Sequence, residues 1–286
     1  MLTIKDQAKG LIAHGVSTCA GCGLELAIRK VLAVLGENTI IIIPPGCAAL
    51  FSGYGQSTAL RIPGFQCNLE NTAAVAAGIR AGLDAQGRED VHVLGFAGDG
   101  ATVDIGLQAL SGMFERNDRV IYICYDNEAY MNTGIQGSGS TPLRAATTTT
   151  PFGKLTKKKD MMAIARAHRV PYAASASIAY LEDLGKKVAN AARTAGSSYI
   201  HIHTPCPTGW FFDPSLTVEV ARMAIRTGAW ILYEIEEGKR TLNANIQTYK
   251  PVEEYLALQG RFKQLTPADI ETIQAEIDTT IRSLCS

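Results

Sequence analysis

The sequence predicts an α/β fold, a mostly parallel sheet with helices on both faces. Two observations carry that reading. Short apolar runs recur at Thr39 to Ile43, Val91 to Phe96, Val120 to Tyr125, Tyr199 to His203 and Trp230 to Glu234, and their length and composition suit buried strands. Between them, Asn71 to Ala85, Ile105 to Glu115, Met161 to His168, Ala179 to Thr194 and Val218 to Thr227 carry helical patterns. Such alternation implies crossover connections between parallel strands.

In chain order, Thr39 to Ile43 is a threonine followed by four isoleucines, and Val91 to Phe96 and Val120 to Tyr125 are apolar at almost every position. Strands covered on both faces have that composition. The chain of 286 residues is 47% hydrophobic, ample for a sizeable core. With no internal repeat and no recognisable linker, residues 1–286 read as a single domain.

Lys plus Arg and Asp plus Glu number 27 each. The resulting balance gives no electrostatic reason to expect nucleic acid or an anionic membrane as partner. Lys5, Asp6, Lys9 and His14 interrupt Met1 to Gly15, so no signal-peptide core is expected, and no apolar run approaches a membrane span. A cytoplasmic protein is expected. Seven cysteines in such a chain suit metal ligation and burial better than a secreted disulfide framework.

In sheets of this class ligands gather beyond the carboxyl ends of the strands. Gly98-Asp99-Gly100 falls just after the run ending near Phe96, and Asp126-Asn127 just after the run ending near Tyr125. Adjacent strands would thus deliver Asp99 and Asn127 to one edge. A carboxylate and an amide oxygen, completed by a backbone carbonyl and two phosphate oxygens, make a sensible magnesium set. Gly98 and Gly100 would allow close backbone approach to a diphosphate, and a helix starting near Asp104 would offer its amides to that anion. Alone, Gly-Asp-Gly is an ordinary turn; its spacing to a second oxygen donor after a strand favours the metal. The polar stretch from Asn132 to Lys159, containing Gly134, Gly137, Gly139 and Thr147 to Thr150, reads as a functional loop.

Cys19-Ala20-Gly21-Cys22, Cys47 after Pro44-Pro45-Gly46, and Cys206 in Pro205-Cys206-Pro207-Thr208-Gly209-Trp210 supply four thiols. Spacing alone leaves tetrahedral zinc and a cubane iron–sulfur cluster both open. Cys67 and Cys124, in apolar surroundings, read as buried core thiols, and Cys285 as incidental.

From Asp99 through Gly134 the sequence resembles the thiamine diphosphate signature, and Asp126-Asn127-Glu128-Ala129-Tyr130-Met131-Asn132-Thr133-Gly134 resembles its 2-oxoacid:ferredoxin oxidoreductase version. The cysteine motifs, Pro251-Val252-Glu253-Glu254-Tyr255-Leu256 and Gln259-Gly260-Arg261-Phe262 are similar to the thiamine diphosphate-binding, or beta, subunit of those enzymes along the whole chain. The resemblance implies a thiamine diphosphate-binding fold. Asp99, Asn127 and the Ala129 carbonyl would bind Mg2+, with Gly98, Gly100 and Thr133 in the cofactor site and Asn132 near the thiazolium and substrate as the catalytic candidate. Cys19, Cys22, Cys47 and Cys206 would ligate a [4Fe-4S] cluster.

The activity implied is coenzyme A-dependent oxidative decarboxylation of a 2-oxoacid, with single electrons passing through the cluster to ferredoxin. Pyruvate leads among the substrates. Ala48 to Arg61 lacks the Tyr-Pro-Tyr-Thr-like run of many pyruvate or branched-chain members, which leaves 2-oxoisovalerate, 2-oxoglutarate, oxalate and phenylglyoxylate open. The partners implied are an alpha subunit with the pyrimidine-binding domain and the carboxylate that activates thiamine, and gamma and ferredoxin-like delta subunits or fused equivalents. The chain alone should be inactive. Rival readings are a non-oxidative thiamine diphosphate decarboxylase or synthase, and a zinc-stabilised binding module.

Three further features carry bland expectations. His201 and His203 alternate on a strand, so one should face solvent or a partner rather than a metal. Lys157-Lys158-Lys159 should be a solvated cluster rather than a coenzyme A contact. Glu25 fits a helix surface as well as a cofactor site.

Overall fold

The computed structural model describes residues 10–53, 58–244, 246 and 248–285. Lys5, Asp6 and Lys9, residues 54–57 of the Ala48-to-Arg61 segment, and the Cys285 side chain lie outside the described residues. Eight strands form one sheet: β1 Thr39–Ile43, β2 Gly64–Gln66, β3 His92–Gly98, β4 Ile121–Asp126, β5 Tyr172–Ser177, β6 Ser198–His203, β7 Tyr233–Glu236 and β8 Lys239–Leu242. Their spatial order is β2-β1-β3-β4-β6-β5-β7-β8. The first six pair in parallel, while β7 and β8 turn back antiparallel at one edge.

The longer helices are α1 Gly23–Leu35, α2 Thr72–Ala85, α3 Leu107–Glu115, α4 Met161–Ala167, α5 Leu181–Arg193, α6 Thr217–Arg226 and α7 Pro267–Cys285. β4 shows why the sheet needs two helical layers. All six of its residues are buried, and because side chains alternate along a strand they enter two different cores. Ile121, Ile123 and Tyr125 pack with Ile28 and Val31 of α1 and Leu184 and Val188 of α5. Tyr122 and Cys124 pack with Ala73 of α2, Leu110 and Met113 of α3 and Met161 of α4.

The expected strands are present at β1, β3, β4 and β6; the fifth, Trp230 to Glu234, is shifted to β7, Tyr233–Glu236. Three strands escaped the pattern. β5, Tyr-Ala-Ala-Ser-Ala-Ser, is fully buried yet made of small residues, and the three-residue β2 is exposed throughout. β8 is a charged edge strand. Helical winding also begins earlier than Asp104, as a single π turn over Gly100–Asp104 that leads into α3.

Candidate cofactor and metal site

The register of β3 and β4 places Gly98 opposite Tyr125, so the turns that follow share one edge of the sheet. Asp99 is 1% exposed. Its Oδ2 accepts a 2.5 Å hydrogen bond from Ser138 Oγ. One end of the Asn127 carboxamide lies 3.0 Å from Asp99 Oδ1 and 2.9 Å from the Ala129 carbonyl, and with its nitrogen there it donates to both. With the oxygen turned to that end instead, Asp99, Asn127 and Ala129 offer three oxygens to one point, a set suited to a hard cation. Burial first, then the negative charge of Asp126, push the Asp99 carboxyl well above the usual range, and a bound cation would oppose both effects.

The turn that carries these donors is held by groups distant in sequence. Glu128 adopts a positive φ of 65°, uncommon for a residue with a Cβ. Around it, Trp210 Nε1 donates to the Asn127 carbonyl at 2.8 Å and Thr141 Oγ1 to the Glu128 carbonyl at 2.6 Å. The Glu128 carboxylate pairs with Arg261 at 2.5 Å and Lys158 at 3.1 Å. Lys158 also meets Asp126 Oδ2 at 2.5 Å, and His201 Nε2 meets the same oxygen at 2.7 Å. Burial alone would raise the Asp126 carboxyl, but Lys158 and His201 hold it below the usual range.

Lys158 corrects the expectation of a solvated cluster. Lys157 and Lys159 stay exposed, as expected, 3.7 Å from Glu276 and 2.7 Å from Asp104 respectively. Lys158→Met leaves two buried carboxylates short of a cation. The expected loss of unfolding free energy is toward the low end of about 3–5 kcal/mol, because the lysine side chain keeps 26% exposure. Urea denaturation of variant and wild type measures it.

The histidine expectation also fails, because all six residues of β6 are buried and the strand has no solvent face. His201 links Asp126 to the Tyr199 hydroxyl, 2.7 Å from its Nδ1. His203 stacks on Trp230 with ring centroids 4.7 Å apart, and burial pushes it down to about 4 from 6.5. The unfolded chain therefore takes up this proton first as pH falls. The contribution is intact above about 6.5 and is lost progressively toward 4. His203→Phe should flatten the fall in stability over that window, as read by thermal unfolding at stepped pH.

The two glycines also make room for side chains. A Cβ at Gly98 would meet the Tyr125 ring at 3.1 Å, and one at Gly100 would collide with the Tyr130 ring. Both glycines thus admit aromatic rings against the turn. Asn132 and Thr133 are exposed, and Thr133 Oγ1 donates to Gln136 Oε1 at 2.6 Å. Among the described residues neither touches the three oxygens.

The cysteine segments converge at the same end of the sheet. Thr217 Oγ1 donates to the Gly21 carbonyl at 2.7 Å, and a Cβ on Gly21 would collide with Pro214, which fastens the Cys19–Cys22 turn to the segment after Cys206. A Cβ on Gly23 would meet the Pro205 carbonyl at 3.2 Å. Cys47 Sγ lies 3.9 Å from Asn127 Nδ2. Burial, reinforced by the neighbouring thiols Cys206 and Cys19, pushes Cys22 up to about 11, and burial with Cys206, Cys22, Asp99 and Cys19 pushes Cys47 up to about 12. Among the described residues no three of these groups stand at metal-binding distance from one another.

The donor set nonetheless fits a cluster. Protonated thiols whose would-be charges oppose one another are what a metal centre deprotonates and draws together. A backbone amide already points at one sulfur, Gly209 N at Cys206 Sγ at 3.3 Å. Such bonds tune iron–sulfur centres. Cys67 and Cys124 are buried core thiols, as expected. Glu25 pairs with Arg29 at 2.7 Å and belongs to the helix surface. A separate cavity of about 310 Å³ lies beneath α7, walled by Trp230, Phe262 and Ile277, and none of the three oxygens lines it.

The mostly parallel sheet that carries Asp99 and Asn127 beyond β3 and β4 matches the fold of thiamine diphosphate enzymes, and residues 44–202 match the family model of the thiamine pyrophosphate enzyme C-terminal TPP binding domain. The pyruvate synthase subunit PorB of Methanothermobacter thermautotrophicus is 51% identical over 98% of this chain and 99% of its own. The ketoisovalerate oxidoreductase subunit VorB of Pyrococcus abyssi is 47% identical over 91% and 88%. The 2-oxoglutarate:ferredoxin oxidoreductase of Magnetococcus marinus, solved with 2-oxoglutarate, coenzyme A and succinyl-CoA, shares the fold at a TM-score of 0.61, with 21% identity over 75% of this chain and 79% of that one. The chain belongs to the thiamine diphosphate-binding beta subunits of the 2-oxoacid:ferredoxin oxidoreductases. No helix among the described residues is long and apolar enough to cross a membrane.

Proposed function

We propose that the chain is the beta subunit of a pyruvate:ferredoxin oxidoreductase of the pyruvate synthase type, holding Mg2+–thiamine diphosphate and one [4Fe-4S] cluster. The observation that carries the reading is the meeting of two donor sets at one end of the sheet. Asp99, Asn127 and the Ala129 carbonyl present oxygen for magnesium, and Cys19, Cys22, Cys47 and Cys206 present sulfur beside them. Thiamine diphosphate bound there supplies an electron sink for decarboxylation of a 2-oxoacid, and the cluster an exit for single electrons.

The chain's own residues have positional roles. Ser138 holds one oxygen of Asp99 so that the other faces the cation, and Trp210 fixes the Asn127 carbonyl. Gly98 and Gly100 keep Tyr125 and Tyr130 against the diphosphate edge. Asn132 and Thr133, exposed just beyond, would meet cofactor and substrate once a second subunit closes the site. That subunit is an alpha chain supplying the pyrimidine-binding domain; gamma and delta chains, ferredoxin and coenzyme A complete the cytoplasmic system. Phe152, 90% exposed, and Leu155, 76% exposed, extend the loop that supplies Ser138 and offer apolar surface for a partner to cover.

Pyruvate is favoured by the relatives named pyruvate synthase subunits; 2-oxoisovalerate is the second reading, supported by the ketoisovalerate oxidoreductase relatives. The assembled complex, assayed anaerobically for ferredoxin reduction with pyruvate, 2-oxoisovalerate, 2-oxoglutarate, oxalate and phenylglyoxylate, decides between them. The highest kcat/KM is expected for pyruvate. A preference for 2-oxoisovalerate would move the assignment to that substrate.

A further inference from the structure

We propose that Asn127 serves both centres at once: its amide oxygen takes the cation while its amide nitrogen donates to Cys47 Sγ, so that filling the cation site raises the reduction potential of the cluster. This rests on the reading that Asp99, Asn127 and Ala129 hold magnesium and that Cys47 ligates the cluster.

A carboxamide has two ends of nearly equal shape and opposite hydrogen-bonding character. In one orientation Nδ2 faces Cys47 Sγ at 3.9 Å and the oxygen faces Asp99 Oδ1 and the Ala129 carbonyl. Turned over, the nitrogen would donate to Asp99 Oδ1 at 3.0 Å and to the Ala129 carbonyl at 2.9 Å, and the Cys47 contact would vanish. Two ordinary hydrogen bonds against one long N–H···S contact favour the turned amide in a cation-free site. A cation reverses that preference, because only the oxygen can ligate it.

The residue is anchored on either side of this rotation. Its carbonyl is held by Trp210 Nε1 at 2.8 Å, and the next residue is fixed by Thr141, Arg261 and Lys158. The side-chain amide is thus the element left to respond. Reduction adds one electron to the cluster and spreads negative charge over its sulfurs, and an N–H aimed at a ligand sulfur stabilises the reduced form. By linkage, a reduced cluster tightens the cation by the same factor.

The test uses the full-length chain with its cluster reconstituted anaerobically, titrated to its midpoint potential by electron paramagnetic resonance with Mg2+–thiamine diphosphate or with EDTA. Iron content and cofactor affinity are measured separately. In the wild type, Mg2+–thiamine diphosphate should favour reduction about tenfold, ~59 mV for a one-electron couple. Asn127→Asp keeps an oxygen ligand and deletes the N–H, so it should bind the cofactor but show no such increment. Its added charge is common to both arms and drops out of the comparison. An equal increment in a binding-competent Asn127→Asp overturns the proposal. If that variant does not bind, the wild type labelled with 15N in its asparagine amides decides. Coupling of an amide nitrogen to the reduced cluster, present with Mg2+–thiamine diphosphate and absent with EDTA, supports the proposal, and its absence in both overturns it. A wild type without iron or cofactor affinity would instead defeat the functional reading itself.

Discussion

Asp99→Ala should abolish magnesium-dependent binding of thiamine diphosphate while leaving the chain folded. The carboxylate is not at an exposed edge, as the turn motif suggests, but 1% exposed with one oxygen bonded to Ser138 and the other facing Asn127. Removing it deletes the only charged member of the three-oxygen set. Outer-shell changes at metal sites cost about 10–100-fold in affinity, so loss of the charged ligand should exceed about 100-fold. Ser138→Ala, which frees the orienting oxygen alone, should fall inside that range. The structural penalty is smaller, since the variant leaves a single buried hydroxyl short of an acceptor, about 1–3 kcal/mol. Calorimetric titration with thiamine diphosphate at fixed Mg2+, beside far-UV circular dichroism, separates binding from folding. Near-normal affinity in Asp99→Ala would remove the residue from the site, and Asn127→Ala should act in the same direction but more weakly because it removes no charge.

The sheet was legible where burial demands large apolar residues. β1, β3 and β4 each take bulky side chains into one or both cores. β5 is equally buried but packs through Ala173, Ala174 and Ala176, and small residues leave no hydrophobic signal for a strand. The same limit misjudged His201 and His203. Alternation along a strand implies a wet face only for a sheet with an uncovered side, and whether both faces of β6 are covered is a property of the whole fold. At the site, Asp99 and Asn127 were readable because each directly follows a strand. Ser138, Lys158, Trp210 and Arg261 were not, because their roles exist only once the 132–159 loop and the chain after Cys206 fold back over the Asp126–Ala129 turn. A lysine in a run of three carries no local mark of a buried carboxylate partner.

Cys19→Ser should separate carbon chemistry from electron transfer within the assembled complex. Cys19 is the exposed member of the four thiols, and none of the hydrogen bonds that hold Asp99, Asn127 or Ala129 involves it. Cys47 and Cys206 are less suitable, since Cys47 touches Asn127 and Cys206 caps the turn that carries Trp210. A cubane deprived of one thiolate is expected to be lost or depleted of iron, while the magnesium oxygens keep their places. Cofactor affinity should therefore stay near the wild-type value, because Cys19 is neither one of the magnesium donors nor one of the groups that hold them. With pyruvate, the variant should release carbon dioxide in a burst of one equivalent per loaded site and then stall, because the electrons left behind have no exit. Steady-state reduction of ferredoxin should fall to background. Rapid-quench counting of 14C-labelled carbon dioxide measures the burst, and iron and acid-labile sulfide analysis measures the cluster. Ferredoxin reduction at the wild-type rate in an iron-depleted subunit would refute this electron path, because the four thiols would then hold something other than the relay between substrate and ferredoxin.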